Sequence, residues 1–103
     1  MFGPAPKGRW TERLGPEPCR SLVPGRRYTV VRAFADFDGD QHPVGETWTY
    51  LTQSFIPYHD GLSLFVSLDG TQEWQIPFQV IREEQAGIVN QLESYIQPAA
   101  AQG

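Results

Sequence analysis

Residues 62–80 read LSLFVSLDGTQEWQIPFQV. Leu62, Leu64, Val66 and Leu68 fall on one parity and Ser63 and Ser67 on the other, the alternation of a strand with one buried face. After a short interval Trp74, Ile76, Phe78 and Val80 repeat the inward pattern, with Glu73, Gln75, Pro77 and Gln79 facing out. Between the two runs, Asp69-Gly70 readily takes the positive φ angles of a type I′ turn, so the stretch predicts a β-hairpin. Pro77 has no N–H to give to a ladder, which places its strand at a sheet edge.

Working outward, Thr47 to Phe55 (TWTYLTQSF) is a second aromatic strand with Trp48 and Tyr50 on one parity. Tyr28 to Phe34 (YTVVRAF) carries Tyr28, Val30 and Phe34 on one face and Val31 and Ala33 on the other, implying a strand covered on both sides. Asp36 to Gly45 reads as a long polar loop, and Pro57 to Gly61 as a corner. From Arg82 the period changes. Ile88, Val89, Leu92, Tyr95 and Ile96 form a helical stripe that Pro98 ends, predicting a closing helix over 82–97 with Glu83 and Glu84 in its first turn. Gly87 weakens that helix by roughly 1 kcal/mol relative to Ala, so docking has to hold it.

Residues 1–24 hold five of the nine prolines and no sustained period, and read as a flexible basic arm. Trp10 and Leu14, four apart, could make one anchoring turn; otherwise they lie solvated or loosely on the body. The expected organisation is the arm (1–24), one β-rich domain (25–97) and a disordered tail (98–103). The fold class is mainly β: a small SH3-like barrel, or a strongly bent four- to five-stranded antiparallel sheet, with one C-terminal helix.

The chain has 103 residues, of which roughly 75 to 80 would pack, a small core that the 13 aromatics enlarge. Its net charge of -4 hides a split. Residues 1–32 carry seven basic side chains against Glu12 and Glu17, net +5, while residues 33–103 carry Arg82 against ten carboxylates, net -9. An acidic body of this kind disfavours nucleic acid and anionic membranes as partners, and leaves a contact between arm and body open. Cys19 is the single cysteine, read as an exposed thiol, and no apolar run is long enough to span a bilayer. A cytoplasmic location is expected.

Asp36, Asp38 and Asp40 alternate like the opening of a calcium loop. The rest of that pattern fails: Gly39 comes two positions early, Thr47 stands where the closing Glu is needed, and a strand precedes the run where a helix should. A solvated acidic turn is expected, with no metal and no cofactor. His42 and His59 read as loop histidines, Asp60 as the cap of its own turn, and Glu46 as an acceptor of backbone N–H groups pinning the loop.

Leu22, Gly25, Tyr28-Thr29-Val30, Phe34, Asp36-Phe37-Asp38, Val44-Gly45-Glu46-Thr47-Trp48, Phe55 to Leu64 and the closing Glu84-Gln85 with Tyr95 are similar to a family of small uncharacterised bacterial domains, over residues 22–96. The resemblance implies a single domain and carries no mechanism. Ala33-Phe34-Ala35-Asp36-Phe37 and Ile76-Pro77-Phe78-Gln79-Val80 resemble, more loosely, the opening motif and the isoleucine-proline segment of SH3 domains, which receive basic proline-rich peptides between acidic loop and aromatics. The paired tryptophans of their central strand are missing here.

The function expected is a non-enzymatic protein-interaction module. Asp36, Asp38, Asp40, Trp48, Tyr58, Asp60 and Trp74 would face a basic or Pro-containing protein or peptide, or the chain's own arm. A metal-assisted hydrolase built on the loop carboxylates and histidines, and an immunity or antitoxin-like inhibitor of a basic enzyme, are the alternatives.

Overall fold

The structure is a computed structural model that describes residues 1–56 and 61–99. Among the described residues, eight strands and three short helices follow in the order β1 (Phe2–Pro6), α1 (Thr11–Leu14), β2 (Arg27–Val30), β3 (Phe34–Ala35), β4 (Gln41–His42), β5 (Thr47–Ile56), β6 (Gly61–Ser67), β7 (Gln72–Gln79), α2 (Glu83–Asn90), α3 (Leu92–Tyr95) and β8 (Ile96–Pro98). Six of the strands form one antiparallel sheet in the order β1-β7-β6-β5-β2-β8, and β3 pairs with β4 in a separate hairpin. The two outermost strands are not bonded to one another, so of the two expected arrangements it is the open sheet that forms.

The hairpin predicted from Leu62 to Val80 is the centre of this sheet, with Leu64 opposite Ile76 and Val66 opposite Trp74. Gly70 has φ +83 but Asp69 keeps a negative φ, so the turn is not the type I′ expected; instead the Asp69 carboxylate holds it by accepting the backbone N–H groups of Thr71 and Gln72, both at 2.9 Å. The inward face packs Leu62, Leu64, Val66, Ile76 and Phe78 with Tyr28, Val30, Trp48 and Tyr50 of the neighbouring strands. Leu22, Phe34, Ile88, Val89, Leu92 and Ile96 close over them in the same cluster. Leu68, expected inside, lies past the end of β6 and is exposed.

A bulge interrupts the pairing of β5 with β6 at Leu51: Tyr50 lies opposite Val66, but Thr52 lies opposite Phe65. The extra residue reverses the parity of β5. Thr52 and Phe65 thus belong to the second face of the sheet, which the N-terminal residues cover. The Trp10 ring lies 5.0 Å from that of Phe65, and the Thr52 hydroxyl donates to the Gly15 carbonyl at 2.6 Å.

The expectation of a flexible arm over residues 1–24 is therefore corrected. Phe2–Pro6 is a strand on β7, with Phe2 opposite Gln75, Ala5 opposite Glu73 and Pro6 opposite Gln72. The anchoring turn at Trp10 and Leu14 forms, and Cys19, expected exposed, is buried beside Leu22 and Tyr50 in the core cluster. Because β1 covers β7, the Pro77 strand is not an outer strand. Proline is tolerated there because β1 reaches only to Gln75, and the free Pro77 carbonyl accepts the Phe37 N–H at 2.8 Å.

Two further expectations change. The strand predicted over Tyr28 to Phe34 breaks after Val30, leaving Val31 and Ala33 exposed, and resumes as β3. The helix predicted over 82–97 breaks at Gln91, whose φ and ψ of -125° and 37° are not helical, and its last turn unwinds into β8. Ile96 gains by the change. As a strand residue it lies opposite Val30, 1% exposed, and the ladder to β2 replaces the helical hydrogen bonds it gives up.

Candidate functional site

The β3–β4 hairpin gathers the acidic loop. Phe34 lies opposite His42, their rings stacked at 4.7 Å, which carries the imidazole beneath the loop that links the two strands. Asp36 leads that loop, and its Oδ1 accepts the backbone N–H groups of Asp38 at 2.9 Å and Asp40 at 3.1 Å. These bonds curl the three carboxylates to one side. Gly39, with φ +86, completes the bend where a side chain would be strained.

His42 is fully buried, and each ring nitrogen faces a carboxylate: Nε2 lies 2.7 Å from Asp36 Oδ2, and Nδ1 lies 2.5 Å from Glu46 Oε2. Two acceptors require two N–H donors, so the geometry is that of an imidazolium. Burial alone would lower the His42 pKa, but the hydrogen bonds and charges of Glu46 and Asp36 outweigh it and hold it above the ordinary value. Glu46 also accepts the Trp48 indole N–H at 3.2 Å. It pins the loop as expected, though through side chains and not through the backbone donors expected of it.

Above His42, the amino group of Met1 lies 2.6 Å from Asp36 Oδ2, 3.3 Å from Asp38 Oδ2 and 2.5 Å from Asp40 Oδ2. An ammonium has three donors, and three carboxylates receive them. Burial pushes the Asp36 carboxyl up, and the Met1 ammonium, His42 and the backbone donors overcome this and hold it below the usual range. The Met1 ammonium is raised in turn: burial lowers it, while Asp36 and Asp40 hold the proton more strongly. Four carboxylates (Asp36, Asp38, Asp40, Glu46) thus meet two cations, and the excess negative charge sits on Asp38 and Asp40, whose side chains are 47% and 57% exposed.

Of the residues expected to face a partner, Asp36, Asp38 and Asp40 converge, with one oxygen of each within 4.8 Å of the others. Asp38 and Asp40 are open to solvent and Asp36 is the buried anchor. Trp48 is removed from that surface: it is fully buried in the core, its ring tilted at 45° to that of Tyr28. Trp74 is half-buried, packs on the core, and has Gly3 against its ring. Tyr58, Asp60 and His59 lie outside the described residues. Phe37 is 47% exposed beside the triad, with the Arg82 guanidinium 5.8 Å from its ring centre. Its solvent-facing position carries no periodic signal, and neither does the burial of His42. The one legible cue to the latter was Glu46, four residues on.

The arm is clamped at a second point. Glu73, expected to face solvent, is 2% exposed. Its Oε2 accepts Gly8 N–H at 2.7 Å and the Thr11 hydroxyl at 2.6 Å, and its Oε1 accepts Trp10 N–H at 3.0 Å and Thr11 N–H at 3.3 Å. Burial would raise its pKa, but the Thr11 hydroxyl and these backbone donors hold it below the ordinary value.

A family model described as Domain of unknown function (DUF3601) matches residues 19–99, close to the 22–96 span of the resemblance read in the sequence. The match begins after β1 and α1, within the 1–24 segment. A solved structure described as an integron cassette protein from the mobile metagenome of Vibrio cholerae is similar at 35% identity, with a TM-score of 0.76 over 81% of this chain and 91% of that one. No curated protein matches the chain. Among the described residues, no helix is long and apolar enough to cross a membrane.

Proposed function

Since the chain belongs to the DUF3601 family, whose description assigns no function, we propose one from its own geometry: a non-enzymatic protein-interaction module whose acidic triad receives an ammonium group of a basic partner. The observation that carries this reading is the Met1 amino group seated on Asp36, Asp38 and Asp40. It supports a triad that accepts a primary ammonium with three directed donors, as a lysine side chain or a partner's terminal amine would present. The exposed Phe37 ring and the unneutralised charge on Asp38 and Asp40 offer the partner an apolar contact and a second cation site.

A hydrolase built on this loop is disfavoured by His42 itself. A general base needs an imidazole nitrogen that can reach a nucleophile, and both nitrogens are buried against carboxylates. An immunity-like inhibitor shares the binding chemistry and differs in the partner alone. The proposed location is the cytoplasm, a reading supported by the single cysteine.

A lysine-containing, proline-rich peptide titrated into the full chain tests the reading. Affinity should fall at least tenfold in the Asp38→Asn/Asp40→Asn double variant and drop as salt rises. Unchanged affinity in a variant with native near-UV circular dichroism refutes it. Calcium and magnesium added in parallel separate the metal alternative, because a cation that binds the triad raises the melting temperature.

A further inference from the structure

We infer that the arm is exchangeable, so that residues 1–14 of a second copy of this chain dock in the same groove and produce a reciprocal dimer; this rests on the ammonium-receiving reading of the triad. Every contact that seats the arm is of a kind that seats a separate peptide. β1 adds to the edge of β7 through backbone pairing, the triad takes the terminal amine, Glu73 takes the donors of the 8–11 turn, and Trp10 lies on Phe65. A copy presents an identical set.

The arm is also separable from what folds the body. Residues 2–14 contribute nothing to the core cluster, and of the arm Met1 alone packs against it. The tether beyond them is held independently, its Gly15 carbonyl by Thr52 and its Glu17 carbonyl by Tyr50 at 2.7 Å. The arm can therefore pivot on the N-terminal side of Gly15, whose φ of +71 is already that of a bend, without disturbing Tyr50 or the core. The arm does not pack flush either: a cavity of about 290 Å³ stays open between it and the body, lined by Lys7, Thr11, Leu51, Ser67 and Gln72 among others. Lys7, Arg9 and Arg13 against Glu12 make the arm a cation for an acidic body, and that attraction acts between molecules as well as within one. Exchange conserves the contacts, so concentration sets the balance between closed monomer and dimer.

The test mixes two full-length copies carrying different C-terminal tags. Capture through one tag should recover the other, mixed dimers approaching the statistical share of about half. Placing Phe2→Cys in one copy and Gln75→Cys in the other should then give a disulfide between copies, since these residues are direct neighbours across β1 and β7. Cys19 does not compete, because it is buried and its thiol pKa is pushed up. No co-recovery at any concentration overturns the inference, and so does co-recovery without the bond between positions 2 and 75. Repeating the pair with Asp38→Asn and Asp40→Asn separates the two readings. A disulfide yield that does not change upholds exchange and removes the ammonium as its anchor, whereas a yield that collapses upholds both.

Discussion

Replacing Glu73 by glutamine should free the arm while leaving the body folded. Each carboxylate oxygen of Glu73 accepts two donors. A glutamine keeps one oxygen, and its NH2 group then points donors at the two others, which lose their acceptor in a site where the residue is 2% exposed. Hydrogen bonds to a charged group are each worth about 1.5–3 kcal/mol, so losing two, with partial relaxation of the exposed turn, costs about 3 kcal/mol. The cost falls on a local opening, because no residue from 2 to 14 belongs to the core cluster. At 1.4 kcal/mol per factor of ten, amide protection of Ala5 and the 8–14 turn should drop by about a hundredfold. Amide hydrogen exchange read residue by residue checks this, with Leu64, Val66 and Ile76 as internal references. Equal loss of protection in arm and body would refute the separation of the two, and unchanged protection in the arm would refute the clamp.

Gly3→Ala should loosen the same segment by sterics, since a Cβ there would stand 2.9 Å from the Glu73 carbonyl and 3.0 Å from the Trp74 ring at a φ of +145 that side chains rarely adopt; arm protection that survives the change would contradict the contact. His42 should titrate above its ordinary value when followed by ring-proton chemical shifts. Because that pKa is raised on folding, its contribution is fully present below about pH 6.5 and is lost as pH rises through the folded value, so a stability curve rising over that interval would count against the imidazolium. Asp36 and Glu73 act in the opposite sense: both are depressed on folding, so their contributions are present above about pH 4 and are lost as pH falls through the folded values, which denaturant melts at decreasing pH will show. Tyr28→Phe removes a hydroxyl that accepts Val23 N–H at 2.7 Å and donates to the Ser21 carbonyl at 3.1 Å; a loss of about 1–3 kcal/mol in a urea melt is expected, and a loss near zero means that water replaces both bonds.

The parts of this fold legible in the sequence are those with a period. Leu62 to Val66 and Ile76 to Phe78 alternate because one face of each meets a continuous core, and Asp69-Gly70 marks their turn by conformational need. The second layer was hidden by the same alternation. Glu73 stands on the outward parity, which is correct as geometry, but the arm covers that face and turns a solvent carboxylate into a buried acceptor of four hydrogen bonds. The arm could not announce itself, since a five-residue strand containing Gly3, Pro4 and Pro6 has neither alternation nor β-branched residues. In the site, the triple aspartate was visible as a motif, whereas His42 was not. Its partners Asp36 and Glu46 come together only because the two-residue strands β3 and β4 pair, an arrangement too short to leave a pattern. The break at Gln91 was equally silent, because the residues that follow suit the helical stripe and β8 alike.

The outermost strands of the large sheet, β1 and β8, are also the first and last elements of the described chain. A sheet edge with free N–H and C=O groups is a template on which other chains can add and grow sideways into ribbons. Here the two ends act as stoppers against such growth, and each is blunted by residues that cannot donate: Pro4 and Pro6 on β1, Pro98 on β8. Removing residues 1–6 or residues 96–103 would therefore do more than shorten the protein. It would uncover β7 on one side or β2 on the other, both of them continuous with the core, and turn a self-limited sheet into one open to aggregation.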